Sequence, residues 1–251
     1  MHLGRQKPLS MMPVFLGNYF IATVFSALSL NPSYVSNFDV VFGILTGAFF
    51  LTNFWVYQKC IVANGLSLSV GSMRIAMIIP ILLSLIFFNE SLKLWNMLGI
   101  LLGISAFTLK AEPKSLRNFL WIALLFVISG ASDASMKVFK ELGGGNESFF
   151  VFLIFGSAFF YTLIAIIFGK QKFPLVLVFY GFILGLPNRY STVFFLEGLE
   201  SVPAAIAYPF VAVGIVLMSI GSDIFLWKHK PEPKEYVLWV LLVLSLLLLN
   251  L

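Results

Sequence analysis

The sequence predicts an all-α polytopic membrane protein of about nine transmembrane helices in two inverted repeats, the first of them one helix short. Three observations predict it: the scarcity of charge, the spacing of the apolar runs, and a self-match of the chain at an offset of 138 residues. Of the 251 residues, 60% are hydrophobic and only 11% are charged, where a soluble domain carries roughly 25% charged residues. A bilayer core about 30 Å thick takes roughly 20 apolar residues per helix. Nine apolar runs separated by short polar gaps fit that length, and they show no period-two alternation of the kind a barrel strand needs.

The first run, 11–30, follows MHLGRQKPLS and ends near SALS, so it imitates a secretory signal. It is longer than a typical signal core, and eight further spans follow it, so it is read as an uncleaved helix. The second, 39–58, carries GILTG at 43–47. The third, 65–89, holds Arg74 and Pro80 in an otherwise uncharged stretch, and the fourth is 94–109. The fifth, 118–138, contains Asp133 and Lys137 and leads into the GGG of 143–145, a cap and loop. The sixth is 149–169. The seventh, 174–196, carries GFILG at 181–185 and then PNRYST, and the eighth and ninth are 203–227 and 236–251.

Lysines and arginines in the gaps fall unevenly. Eleven lie on one side, from Arg5 and Lys7 through Lys59, Lys110, Lys114, Arg117, Lys170 and Lys172 to Lys228, Lys230 and Lys234. Only Lys93, Lys137 and Lys140 lie on the other. The excess of cations in cytoplasmic loops then predicts a cytoplasmic N-terminus and, with nine spans, an outer C-terminus. The net charge of +5 is thus spread along helix ends as topology signals and forms no nucleic-acid patch. Cys60 is the single cysteine, so an intrachain disulfide is excluded and a zinc cluster has no ligand set.

Shifted by 138, the run 11–30 meets 149–168, 65–89 meets 203–227, and GILTG falls on GFILG. Each copy has a GxxxG in the same helix, which lets two backbones approach closely where lipid supplies no hydrophobic drive. The halves are 1–116, with four helices, and 117–251, with five. A five-helix unit crosses an odd number of times, so tandem copies have opposite orientations. The partner of 118–138 would precede Met1.

An arginine at the centre of a spanning helix costs about 2.5–3.5 kcal/mol on insertion scales, so it faces a wet cavity or a partner. Arg74 shares a face with Ser67 and Gly71, is flanked by Ser69 and Ser72, and precedes the helix-kinking Pro80. Arg189 stands beside Pro187 and Asn188 in the seventh run. Two readings stand for each arginine: it binds a carboxylate or phosphate of a ligand by paired hydrogen bonds, or it neutralises an intramembrane acid or a carbonyl freed by the neighbouring proline. Asp133 has two readings as well, an i,i+4 ion pair with Lys137 or a proton-coupling carboxylate. His2 and His229 have no nucleophile at a recognisable spacing, and the chain has no HExxH, Walker loop or GxSxG. No enzyme activity and no cofactor are expected.

Three stretches carry a resemblance: SVGSMRIAMIIPILLSLIFFNESLKLWNMLGILLGISAF (69–107), GASDASMKVFK (130–140) and GLPNRYSTVFFLEGLESVPAAIAYPFVAVGIVLMS (185–219). They resemble the drug/metabolite transporter superfamily, in its EamA-like branch of ten-helix proteins built from two five-helix repeats. Pro80 and Glu90 match that branch's fourth-helix pattern. The resemblance implies a secondary carrier in the cell membrane that moves a small polar or anionic, amino-acid-like metabolite by alternating access. Its expected binding residues are Arg74, Arg189, Asn188, Ser72 and Tyr208, with Asp133 coupling protons. The expected partners are the small-molecule substrate and the lipid bilayer, without nucleic acid, and a homodimer is compatible with the sequence. A broad exporter of cationic, lipophilic compounds and a non-transporting membrane subunit are the alternatives.

Overall fold

The computed structural model describes residues 11–31, 34–108, 116–169, 174–225 and 233–249. The basic positions 5, 7, 110, 114, 170, 172, 228 and 230, on which the expected orientation rests, lie outside them. Among the described residues the chain is helical and has no strand. In order run α1 (Met12–Leu28), α2 (Asn37–Asn64), α3 (Leu66–Ile75), α4 (Ile78–Phe87), α5 (Leu94–Thr108), α6 (Leu116–Leu142), α7 (Glu147–Gly169), α8 (Leu175–Ser201), α9 (Ala204–Phe225) and α10 (Pro233–Leu249). Four stretches are long and apolar enough to cross a membrane: Asn37–Asn64, Leu68–Phe87, Asn118–Leu142 and Glu147–Gly169.

Local chemistry explains several of these limits. Pro13 opens α1 in the first turn, where its missing N–H would be unpaired anyway. At the start of α2, Ser36 and Asp39 form a reciprocal cap. The Asp39 carboxylate accepts the Ser36 amide at 3.1 Å, and the Ser36 hydroxyl accepts the Asp39 amide at 3.1 Å. The same carboxylate accepts the amide of Gly144 at 2.8 Å, which ties the GGG loop to α2, and Gly145 there adopts φ +85°. The third apolar run breaks at Ala76–Met77. Pro80 has no N–H to give the Ala76 carbonyl, and that carbonyl instead accepts from Ile79 at 3.0 Å, while Met77 donates to Arg74 at 3.3 Å. The helix breaks one turn before the proline because the lost donor is felt four residues upstream.

The helices gather into two compact units, and neither is a continuous half of the chain. The first combines residues up to Gln58 with Leu142–Glu197, and the second combines Lys59–Glu141 with Gly198 onward. The boundary expected at 116/117 is therefore not a boundary between compact bodies.

In the first unit α1 packs on α7. Its core is aromatic: Tyr19 is fully buried, 6.2 Å from the ring of Phe54 and 6.4 Å from that of Phe155. Both GxxxG pairs close a helix crossing, as their spacing predicted. A methyl on Gly47 of α2 would stand 2.5 Å from the Ile154 carbonyl oxygen of α7, and one on Gly185 of α8 would stand 2.6 Å from the Asn18 carbonyl oxygen of α1. At Gly181 it would collide with the carbonyl oxygen of Val14. Backbone oxygens cannot swing aside as side chains do, so Gly181→Ala should destabilise the protein by about 1–3 kcal/mol. Gly198→Ala, whose added methyl meets nothing within 4 Å, should be neutral or slightly stabilising. Thermal unfolding of the two variants in detergent checks the contrast.

In the second unit α4 packs on α9 and α5 on α10. Ser245 donates to the Gly99 carbonyl at 2.7 Å, and Asn96 donates to that of Leu249 at 3.2 Å, pinning α10 along α5. Asn64 and Asn118 exchange hydrogen bonds with the carbonyls of Asn118 and Ala63, at 3.0 and 2.9 Å, and so join the end of α2 to the start of α6.

Candidate functional site

Polar groups within the helices collect in two places, one in each unit. In the second unit Arg74 sits in the last turn of α3, one residue before the break. Its charge acts on Asp133 of α6. From α9 the buried Tyr208 donates its hydroxyl to the Asp133 carbonyl oxygen at 2.7 Å. Three elements thus converge on a cation, an acid and a phenol. At the end of α3 the backbone stays in the right-handed helical region, and the amides of Met77 and Ile79 bond three residues back.

Ser72 was expected to assist a ligand, but its hydroxyl donates to the Ile122 carbonyl of α6 at 3.0 Å. It joins two helices. Beside it, Leu68, Gly71, Ile75, Phe119, Ile122, Ala123 and Phe126 line an almost wholly apolar cavity of about 270 Å³.

The expected pairing of Asp133 with Lys137 is not formed. The Lys137 ammonium lies 2.7 Å from a Glu90 oxygen and also pairs with Glu141, and it stands 5.5 Å from the centre of the Phe88 ring. Glu90 competes better because it is fixed already: its two oxygens accept the amides of Ala204 and Ala205 at 3.0 and 2.9 Å, capping α9. Burial raises the Glu90 carboxyl, but the Lys137 ammonium and the two amides outweigh it and hold it below its ordinary value. Lys140 makes a further pair with Glu200 at 2.9 Å.

In the first unit Asn188 and Arg189 follow Pro187 within α8. The Asn188 amide donates to the Asn18 side-chain oxygen of α1 at 3.2 Å, so it too joins helices. Arg189 is only 7% exposed, and its guanidinium lies 4.7 Å from the centre of the Tyr190 ring. Its buried Nε has no hydrogen-bond partner among the described residues. It lines a cavity of about 260 Å³ together with Ser29, Glu147, Ser148, Val151, Val193, Leu196 and Glu197.

The sequence therefore located the charged residues but missed several of their neighbours. Asp39 was visible in the Ser-x-x-Asp spacing of a cap. Glu90 as the cap of α9 leaves no local signal, since its acceptor contacts span 114 and 115 positions. Glu147 and Glu197 lie near helix ends and read as interfacial charge. Among the described residues no cluster of histidine, cysteine and acids could hold a metal ion.

No protein-family model matches the chain. It is 22% identical over 240 residues to an uncharacterized protein of Haemophilus influenzae, covering 88% of this chain and 81% of that one. A crystal structure 12% identical in sequence superposes with a TM-score of 0.74 over 98% of this chain and 89% of its own. At that identity the likeness is one of fold: the chain folds as that solved protein does.

Proposed function

We propose that the chain is a multi-pass secondary carrier of the cell membrane, EamA-like in plan, that moves a small polar or anionic metabolite by alternating access. One observation carries the reading: an apolar helix locally tightened by i→i+3 hydrogen bonds carries Arg74 beside the tightened turn, and its charge acts on the acid Asp133 of α6. Short tightened stretches inside a helix often mark functional positions. A cation and an acid held there against a large insertion cost favour a binding role over a structural one. Arg74 and Arg189 bind the negative group of the solute, Tyr208 fixes the backbone at Asp133, and Asp133 carries the coupling proton.

The inverted repeat is supported by the helix limits. Shifted by 138, Asn37 at the start of α2 falls on Leu175 at the start of α8. Leu66 falls on Ala204 and Phe87 on Phe225, the two ends of α9. The first segment of each compact unit, so shifted, falls within three residues of the start of that unit's second segment. Helices related in this way pack on one another, α1 on α7, α4 on α9 and α5 on α10. The first GxxxG closes on α7 and the second on α1, the two helices that the same shift brings together.

Uptake into proteoliposomes under an imposed pH gradient tests the reading. Labelled carboxylate-bearing metabolites should accumulate in wild-type vesicles and stay at background with Arg74→Gln. A protein that moves no solute across a broad panel is the non-transporting subunit. The apolar cavity beside Ser72 favours a second reading, an exporter of lipophilic cations. That reading wins if Asp133→Asn abolishes resistance to cationic compounds while Arg74→Ala leaves it intact.

A further inference from the structure

We propose that the apolar cavity between α3 and α6 is a lipid site, which seats one acyl chain of a membrane phospholipid. The site rests on the burial of these helices in a bilayer and not on the carrier reading. Its walls are two matching stripes. Leu68, Gly71, Ser72 and Ile75 recur at i, i+3, i+4 and i+7 along α3, and Phe119, Ile122, Ala123 and Phe126 do so along α6, so each set lies on one helix face. The two helices run the same way: the Asn64 amide reaches the Asn118 carbonyl at their head, and Ser72 reaches the Ile122 carbonyl further in. The small Gly71, Ser72 and Ala123 leave the space, and the larger Leu68, Ile75, Phe119 and Phe126 stand at the ends of the stripes.

The lining selects hydrocarbon. Its one polar side chain, Ser72, already donates its hydroxyl proton to the Ile122 carbonyl. A water needs roughly two to four polar partners to stay in such a place, so water is excluded. A void of about 270 Å³ left empty would forfeit the dispersion contacts of every residue around it. All the lining residues except Ser72 are half-buried or exposed, so the groove opens outward to whatever surrounds the helices. Both walls belong to stretches long and apolar enough to cross a membrane, Leu68–Phe87 and Asn118–Leu142, and what surrounds such stretches in a bilayer is acyl chains.

Shape and depth point to a chain rather than a compact guest. Seven positions of helix rise about 10 Å, and the volume spread over that length leaves a section of about 25 Å². That seats one hydrocarbon chain at carbon contact distances of about 3.5–4 Å. The groove starts at Leu68 and Phe119, in the first turn of α3 and of α6, and so runs inward from one membrane surface. One leaflet supplies about 15 Å of hydrocarbon, half of a core about 30 Å thick, and the groove lies within that depth. The lipid headgroup then stays at the surface beside Asn64 and Asn118 while its chain occupies the groove.

Photolabelling of the full chain tests the site, in vesicles of phosphatidylethanolamine and phosphatidylglycerol doped with a phosphatidylethanolamine that carries a diazirine near the middle of one acyl chain. Adducts are mapped by mass spectrometry of the digested protein. The expected result is that peptides bearing Gly71 and Ala123 label at least about tenfold more than those bearing the exposed Phe160 and Ile167 of α7, a preference for the groove of about 1.4 kcal/mol. Ala123→Phe, which fills the groove, should bring its labelling down to the α7 level and leave α7 unchanged. Equal labelling of groove and α7 in the wild type would mean ordinary contact with surrounding lipid and overturns the proposal, whether or not the variant folds. Groove labelling that survives Ala123→Phe in a folded variant overturns it too. Loss of the groove adducts on adding tetraphenylphosphonium would give the groove to a lipophilic cation instead, and would likewise overturn the lipid assignment.

Discussion

Arg74→Gln should lower solute uptake by roughly 100-fold, the loss expected when about 3 kcal/mol of charge-assisted hydrogen bonding to a carboxylate is removed. It should also destabilise the protein, because the buried Asp133 loses the cation that acts on it. Leaving a buried polar group without its partner costs about 1–3 kcal/mol. The double variant Arg74→Gln, Asp133→Asn separates the two effects. With both charges gone, thermal stability in detergent should recover most of the loss while uptake stays at background. Because Asp133 carries the coupling proton, the double variant is read by solute exchange with no pH gradient: exchange recovered along with stability would mean that Arg74 only holds the helices together. Arg74→Lys is the finer control: it keeps the charge but gives up the planar fork that pairs two hydrogen bonds with a carboxylate, so affinity should fall while stability changes little.

The second large effect should come from Glu90, which holds Lys137 and the first two amides of α9 at once. Glu90→Ala leaves two helix-end amides without their acceptor and the Lys137 ammonium with Glu141 alone, and should destabilise the protein by about 2–4 kcal/mol. The pH dependence has a fixed sign. The Glu90 carboxyl titrates below its ordinary value in the folded protein, so its contribution is fully present above the unfolded carboxylate pKa of about 4.3. It is lost as the pH falls through the lower folded value. Thermal unfolding of wild type should therefore fall off below about pH 4, and that of Glu90→Gln should be flatter through the same window. A parallel decline in the two proteins would mean that Glu90 does not carry the acid sensitivity.

Lys137 shows why the sequence could reveal the charged residues and not their pairing. Two acids on α6, Asp133 and Glu141, lie one turn from it; the i,i+4 rule offers both, and the pair formed is the one with Glu141. Glu90 is far off in sequence and is immobilised by α9, so it loses less side-chain entropy on pairing and holds the ammonium more firmly. Long-range contacts of this kind have no sequence period. Nor do the compact units, which change over within α2, α6 and α8 and so fall where helices are continuous.

What was legible followed from strictly local physics. Helix limits track the apolar runs because every backbone polar group in lipid must be satisfied within its own segment. The GxxxG pairs predicted close crossings because any side chain there would meet backbone. Pro80 announced a disturbance, and only the displaced hydrogen bonds of Met77 and Ile79 fix it at Ala76–Met77. Ser72 was expected from its place beside the Arg74 face and Asn188 from its place beside Arg189; each donates a hydrogen bond to a neighbouring helix, a partner that no local sequence signal names.

The carrier proposed above requires Arg74 and Arg189 to line water-accessible space, and thiol labelling tests that most directly. With Cys60 replaced, single cysteines at positions 74 and 189 would be treated in sealed vesicles with a membrane-impermeant reagent, with and without transported solute. The predicted result is labelling at both positions, slowed when solute is present. Positions 74 and 189 both sealed from the reagent, on either face and in either condition, would contradict it.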